Sequence, residues 1–320
     1  MSQEYGRAFP VAGDITVTYR RAGHILGAAT VDVKLGAGPR IGFSGDLGRY
    51  GRPILPDPEP LPEADVLLLE STYGDRIHPT GTADALVRVI RETAKQGGVL
   101  LVPAFVVDRT QELLWMVQRL EEEGRIPVLP VYVDSPSATE VTEIYRNHPE
   151  DQDDGMRSAV RNGHDPLRTK QGRFCRTVEE SKRLNDLNGP LIIVSAGGMA
   201  TGGRILHHLQ RRLPDPRTTV LLVGFQAAGT RGRSLQDGAR TLKMFGTEVP
   251  VRARVETIHG LSAHADQQET LRWLGGFVRP PRTTYLVHGE PAAASALAQV
   301  ISSRYGWTVQ VARDGERVVL

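Results

Sequence analysis

The sequence predicts an α/β protein with a largely buried parallel sheet and an antiparallel stretch at its amino-terminal end. Three observations carry this prediction. Short apolar runs recur along the chain, and beyond residue 66 they alternate with segments of helical spacing, the pattern of βαβ units. The first 45 residues hold consecutive strand-like runs and a turn at Ala37-Gly38-Pro39, with no helical pattern. Composition is globular, 40% hydrophobic and 24% charged, and 320 residues suit about two domains.

The runs that read as strands are 15–19, 29–35, 40–43, 66–69, 99–102, 128–133, 191–194, 219–223, 251–257, 284–287 and 308–311. Helices are predicted over 84–95, with Leu86, Val89 and Ile90 on one face and Gly97 placed to end it. A second, over 108–123, aligns Leu113, Met116, Val117 and Leu120 before Gly124. Segments 266–277 and 291–305 have the same character. The proline-rich stretch 53–62 reads as an extended loop, and 150–190 as a surface excursion of short helices and loops.

Charge is nearly balanced, Lys+Arg 39 against Asp+Glu 37, so bulk charge alone does not argue for nucleic acid. Cys175 is the single cysteine, which excludes an intrachain disulfide and a cysteine-based zinc site. No run of 18 apolar residues and no signal-peptide layout is present, so a cytoplasmic chain that does not cross a membrane is expected.

In open α/β sheets ligands gather beyond the carboxyl ends of strands. Asp46, Glu70, Asp134 and His288 each follow an apolar run, and His24 stands in a glycine turn just before one. His264, in Ser262-Ala263-His264-Ala265-Asp266, precedes a helix. Singly, each reads as a cap or a structural histidine; together they suggest a converging site. The loop Gly197-Gly198-Met199-Ala200-Thr201-Gly202-Gly203 follows a strand and opens a helix. Gly203-Arg204 stand where a P-loop needs lysine and a hydroxyl residue, which argues against a nucleotide loop. Its amides could cradle a phosphate, or the glycines could serve a tight turn and close packing. Arg204, His207, His208, Arg211, Arg212, Arg231 and Arg233 could line a groove for a phosphate backbone or form an ordinary solvated face.

The strings AGHILGAA, FSGDLGR, LLLESTYGD, VPAFVVDRTQELL, LSAHAD and LVHGE, with VDSPSATEVTEIYRNHPE and EESKRLN between them, resemble the metallo-β-lactamase-fold β-CASP ribonucleases. This group includes ribonuclease J and the pre-mRNA 3′-end cleavage nuclease subunit. The resemblance covers essentially the whole chain in order. It implies a partial metallo-β-lactamase (αββα) domain over 1–74, an inserted α/β β-CASP domain over 75–261, and a return to the first domain over 262–320. It further implies that His24, Asp46 and His288 are zinc ligands, with Asp46 bridging two ions. His264 would protonate the leaving oxygen and Glu70 would hold it. Two zinc ions would activate water at neutral pH and clamp an in-line attack on phosphorus, while histidine suits the acid role. RNA would lie between the domains, its phosphate near Ser262, His264 and the loop of Gly197, Gly198, Gly202 and Gly203, with Arg109 as a further contact. The segments 73–80 and 103–109 would form other parts of the wall. Dimerisation is common in such a family, so a homodimer is a further expectation.

One departure stands out. The family's principal zinc motif, H-x-H-x-D-H, is absent, since no two of the nine histidines have H-x-H spacing. In the family it lies upstream of the AGH element, so a fragment lacking roughly a hundred residues, half a typical domain, is expected. Activity of this chain alone is then in question. The rival expectation is a non-catalytic RNA-binding or subunit-like β-CASP protein. A hydrolase of small esters shares the fold and is disfavoured only by the resemblance.

Overall fold

A computed structural model describes residues 3–319. In chain order it contains β1 (Ala8–Ala12), β2 (Ile15–Arg21), β3 (Ala29–Leu35), β4 (Arg40–Phe43) and β5 (Val66–Glu70). There follow α1 (Thr82–Lys95), β6 (Val99–Ala104), α2 (Arg109–Glu122), β7 (Val131–Asp134), α3 (Pro136–Asn147), α4 (Asp154–Arg161), β8 (Gly172–Phe174) and α5 (Val178–Arg183). Next come β9 (Leu191–Ala196), α6 (Ile205–Arg212), β10 (Thr219–Leu222), α7 (Arg231–Gln236), β11 (Thr241–Met244), β12 (Thr247–Pro250) and β13 (Arg254–Thr257). The chain closes with α8 (Gln267–Leu274), β14 (Thr283–Val287), α9 (Pro291–Tyr305) and β15 (Val309–Val311). It divides into two compact units, one made of residues up to His78 and from Ala263 onward, the other of Pro79–Ser262.

The first unit is built on a seven-stranded sheet ordered β1-β2-β3-β4-β5-β14-β15. Strands β1 to β4 form the antiparallel part expected from the helix-free start. β4, β5, β14 and β15 are parallel. Leu67, Leu69 and Leu286 of the sheet pack with Leu271 and Trp273 of α8 and with Leu297 and Ile301 of α9. Helix α9 starts with Pro291 in its first turn and stops at Gly306, whose φ of 69° only glycine adopts at low cost.

The second unit has a six-stranded, all-parallel sheet ordered β13-β10-β6-β9-β7-β8. Every residue of β6 is buried, as a parallel strand covered on both faces requires. One face packs on α1 and α2 through Leu86, Ile90, Leu113 and Val117; the other packs on α6 through Ile205 and Leu209.

Three expectations shift. The run 128–133 becomes strand only from Val131. The run 251–257 divides, because Thr247–Pro250 pairs back on Thr241–Met244 as a hairpin, and regular parallel pairing begins at Arg254. The excursion 150–190 also contributes β8, a short sheet-edge strand. β1, absent from the sequence reading, is an almost wholly exposed edge strand carrying Pro10, so it shows no apolar alternation. Among the described residues no helix is long and apolar enough to cross a membrane.

Candidate metal and acid–base centre

The first unit brings His24, Asp46, Glu70, His264 and His288 together at the carboxyl ends of β4, β5 and β14. Three backbone contacts set the loops. Gly48 lies so close to the AGH turn that an added Cβ would stand 1.8 Å from the Gly23 carbonyl oxygen. Its N–H donates to Ala22 at 2.7 Å, and Ala265 N–H donates to Leu47 at 2.8 Å. The small residues of FSGDLGR are therefore what let the Asp46 loop seat between the His24 and His264 loops.

Glu70 ends β5 and is 2% exposed. Its Oε1 accepts Leu47 N–H at 2.6 Å and faces His264 Nδ1 at 3.2 Å, and its Oε2 accepts Thr72 N–H at 3.4 Å. Burial pushes its carboxyl up, but the hydrogen bond and charge of His264, then Thr72 and His24, outweigh burial, and the net direction is down. Glu70 is therefore an ionised carboxylate filled by N–H donors, suited to orienting His264.

His264 lies between the other two imidazoles. Its ring centre is 4.3 Å from that of His24 and 5.6 Å from that of His288. Asp46 spans the outer pair: Oδ2 is 3.8 Å from His24 Nε2, and Oδ1 is 3.2 Å from His288 Nδ1. His288 follows β14 with φ 50°, where its carbonyl accepts the Thr72 hydroxyl at 3.1 Å. Donor atoms of His24, Asp46 and His264 lie within 4.8 Å of one another, as do those of Glu70, His264 and His288. Imidazole and carboxylate donors at such spacing fit a divalent cation such as zinc. One carboxylate oxygen facing each outer imidazole is a fitting donor arrangement.

Sequence reasoning assigned His78 no role of its own beyond its place in the 73–80 segment expected to line the substrate cleft. Its N–H donates to Asp266 at 2.8 Å, and its Nε2 lies 2.9 Å from the His264 carbonyl, an acceptor that requires the Nε2–H tautomer. Burial, then the charge of Arg49, pushes the His78 imidazole down to about 4, so it is neutral at pH 7. Its ring packs edge-on to Tyr73 with centres 4.9 Å apart. Only its position just after the ESTYGD string could have flagged it.

The expected substrate contacts lie in the second unit and differ from expectation in one respect. Arg109 is buried, and its guanidinium is committed to the Leu261 carbonyl, Asp108 and Glu112, so it braces the chain and does not present itself to a ligand. Ser262, also buried, ends that unit's chain segment. Gly197, Gly198, Gly202 and Gly203 form the turn after β9; Gly197 and Gly203 have φ 113° and 83°. Two amides of this turn are used within the fold, Gly197 N–H to Ala104 and Ala200 N–H to Gly197. The basic groove does not form as a set. Arg204 and His208 bind buried Asp134, Arg212 binds the Leu184 carbonyl, and Arg233 pairs with Asp237.

Comparison with known proteins places the chain in a family. Residues 110–235 match the Beta-Casp domain, and residues 248–312 match the Zn-dependent metallo-hydrolase RNA specificity domain. A ribonuclease of Thermus thermophilus is 38% identical over 317 residues, covering 98% of this chain and 72% of that protein. Transcription termination factor FttA of Pyrococcus abyssi is 33% identical, over 99% of this chain and 50% of its own length. An RNase J-like protein of Methanocaldococcus jannaschii is 31% identical over 91% of this chain and 68% of its own. The chain thus spans about half the length of the FttA relatives. A solved Enterococcus faecalis protein of unknown function shares the fold, with TM-score 0.52 and 11% identity over all of this chain and 67% of its own. With both domain matches in order along the chain, and with relatives aligned over nearly all of it, the chain belongs to the β-CASP metallo-β-lactamase-fold ribonuclease family.

Proposed function

We propose that this chain carries the acid–base pair of a zinc-dependent RNA phosphodiester hydrolase. The observation that supports the reading best is the buried Glu70 carboxylate facing His264 Nδ1, with His264 set between His24 and His288. Glu70 holds Nδ1–H and so leaves Nε2 as the atom that exchanges a proton with substrate, delivering it to the leaving ribose oxygen. His24, Asp46 and His288 are the residues that would hold the cation. Zinc bound there supplies Lewis acidity toward a phosphoryl oxygen and a lowered pKa for water. His78, through the His264 backbone, and Leu47 and Thr72, through Glu70, keep the pair in register. RNA is the expected substrate because the relatives named above include a ribonuclease and an RNase J-like protein.

The test is His264→Ala in the full chain, with RNA cleavage and bound metal measured on the same samples. Cleavage is expected to fall by about 10²–10⁴-fold with metal content unchanged. Loss of metal together with cleavage would refute the acid assignment.

A second reading is RNA binding without cleavage. One observation favours it: beyond the Glu70–His264 pair, the site offers three donors, His24, Asp46 and His288. Three protein ligands suit one catalytic zinc and leave two ions under-coordinated. Measurable RNA binding with no cleavage at saturating zinc or manganese would select this reading.

A further inference from the structure

The carboxyl edge of the second unit's sheet carries an aromatic ring that core packing does not account for. β6 lies between β9 and β10 and is buried throughout, yet Phe105, the residue that follows it, is 38% exposed. The ring is nonetheless tightly held. A Cβ on Gly198, in the loop after β9, would stand 2.8–3.1 Å from three atoms of the Phe105 ring. A Cβ on Gly224, in the loop after β10, would stand 3.2 Å from its Cε2. Neither glycine has a positive φ, so the backbone does not demand glycine at either place. The ring does.

The two loops are also fastened to each other. Gln226 is 2% exposed, and its amide donates to both Gly198 and Gly224 carbonyls, at 3.0 and 3.1 Å. The Thr110 hydroxyl donates to the Phe105 carbonyl at 2.9 Å, fixing the ring's own backbone. A cation is close by: the Arg231 guanidinium reaches the Thr201 carbonyl, in the same turn as Gly198, at 3.5 Å.

A rigid, half-exposed aromatic set between bare peptides at the ligand edge of a parallel sheet suits a flat π-surface. We propose that Phe105, its ring seated against Gly198 and Gly224, is the stacking platform for one unpaired nucleobase of an RNA strand. This rests on the reading of the chain as acting on RNA and adds a contact to base, where the metal and acid residues address only phosphate and ribose. Stacking is blind to base identity, so the ring selects single strands without selecting sequence; a duplex keeps its bases stacked on each other.

The test uses the full chain with cations chelated, so that binding is read without cleavage. The affinity for a fluorescein-labelled single-stranded RNA is measured by anisotropy at fixed salt. The same oligomer is then made abasic at each position in turn. Phe105→Leu, which keeps an apolar side chain and removes the π-face, is expected to weaken binding about tenfold, and Phe105→Trp to retain it. One abasic position should cost the unsubstituted chain a similar factor and cost Phe105→Leu nothing more. Gly198→Ala, which displaces the ring, should match Phe105→Leu. The proposal is overturned if Phe105→Leu binds as the unsubstituted chain does, if the abasic penalties are the same in both, or if Phe105→Trp loses as much as Phe105→Leu. If the unsubstituted chain binds no RNA, the RNA reading fails with it, and that outcome is recognisable because no variant then differs.

Discussion

Each unit ends a parallel strand on a buried carboxylate bound to a histidine, and the two pairs have different surroundings. In the first unit Glu70 closes β5 and faces His264 at 3.2 Å; in the second Asp134 closes β7 and faces His208 at 2.7 Å. Both carboxyls lie below their usual range, and in both the histidine helps to overcome a burial cost that acts the other way. The Asp134 pair is sealed. Ser181 at 2.6 Å and Arg204 at 2.8 Å fill its remaining oxygen sites, and neither Asp134 nor His208 has more than about 1% exposure. The Glu70 pair is less deeply enclosed on its histidine side. Its histidine is 16% exposed beside two further imidazoles and Asp46, with exposure rising outward to 56% at His288. The same chemical pair ties elements together where it is closed and can serve chemistry where its outer edge stays open.

The largest effect that would test this contrast is on stability. Asp134→Ala leaves His208 buried without its partner and takes from Arg204 its carboxylate, leaving it the Cys175 and Arg176 carbonyls; breaking a buried ionic pair costs about 3–5 kcal/mol. Urea unfolding should show that loss. A change below about 1 kcal/mol would mean that the closed pair does not hold the second unit together.

His78 gives the next effect, and it depends on pH. Its imidazole titrates near 4 in the folded chain and near 6.5 when unfolded, so the unfolded state binds the extra proton between those values. The neutral buried ring therefore imposes no penalty above pH 6.5, and stability falls as pH drops from 6.5 toward 4, by at most about 3 kcal/mol. His78→Gln removes the titration. Its unfolding free energy should lack this slope, and an unchanged slope would assign the acid sensitivity elsewhere.

A smaller loss is expected from His208→Ala. It opens one hydrogen bond of Asp134 while Arg204 and Ser181 remain, a cost of about 1–3 kcal/mol. Once corrected for folded fraction, RNA cleavage should be unaffected. Activity loss of the size expected for His264→Ala would erase the distinction between the pairs.

Legibility in the sequence followed the same physics. Of the five residues of the centre, Asp46, Glu70 and His288 stood out because each follows an apolar run. His24 stood out because it sits in a glycine turn and His264 because it precedes a helix, and the order of all five matched a family pattern. Asp134 looked no different from Glu70 by that criterion, and only burial and neighbours separate them. His208 and Arg212 read as exposed basic residues because helical spacing does not say which face of α6 meets the sheet; both turned inward. Arg109 was read as a substrate contact, but its partners are a carbonyl 152 residues away and two carboxylates on its own turn. His78 could not be found by periodicity, because its job is to hold one carbonyl 186 residues away. The buried parallel strands β6, β9 and β10 were plain as apolar runs, while the edge strands β1, largely exposed, and β8, three residues long, carried no pattern to read.

The smallest expected effect is also the sharpest contrast with Asp134. The Asp46 side chain is 42% exposed, and the imidazoles of His24 and His288 lie 3.8 Å and 3.2 Å from its oxygens. Asp46→Asn keeps the shape, strands no buried charge, and leaves the loop fixed by Gly48 and Leu47 through their backbones. Unfolding free energy measured with cations chelated should therefore change by no more than about 0.5 kcal/mol. In the same variant the donor set loses the one group that faces both outer imidazoles, and zinc retained after dialysis should drop below that of the unsubstituted chain. A carboxylate at a strand end that costs little to lose from the fold and much to lose from the metal is what an open site predicts. If Asp46→Asn destabilised the chain as Asp134→Ala does, the first unit's cluster would be a structural tie, and the division drawn between the two pairs would fail.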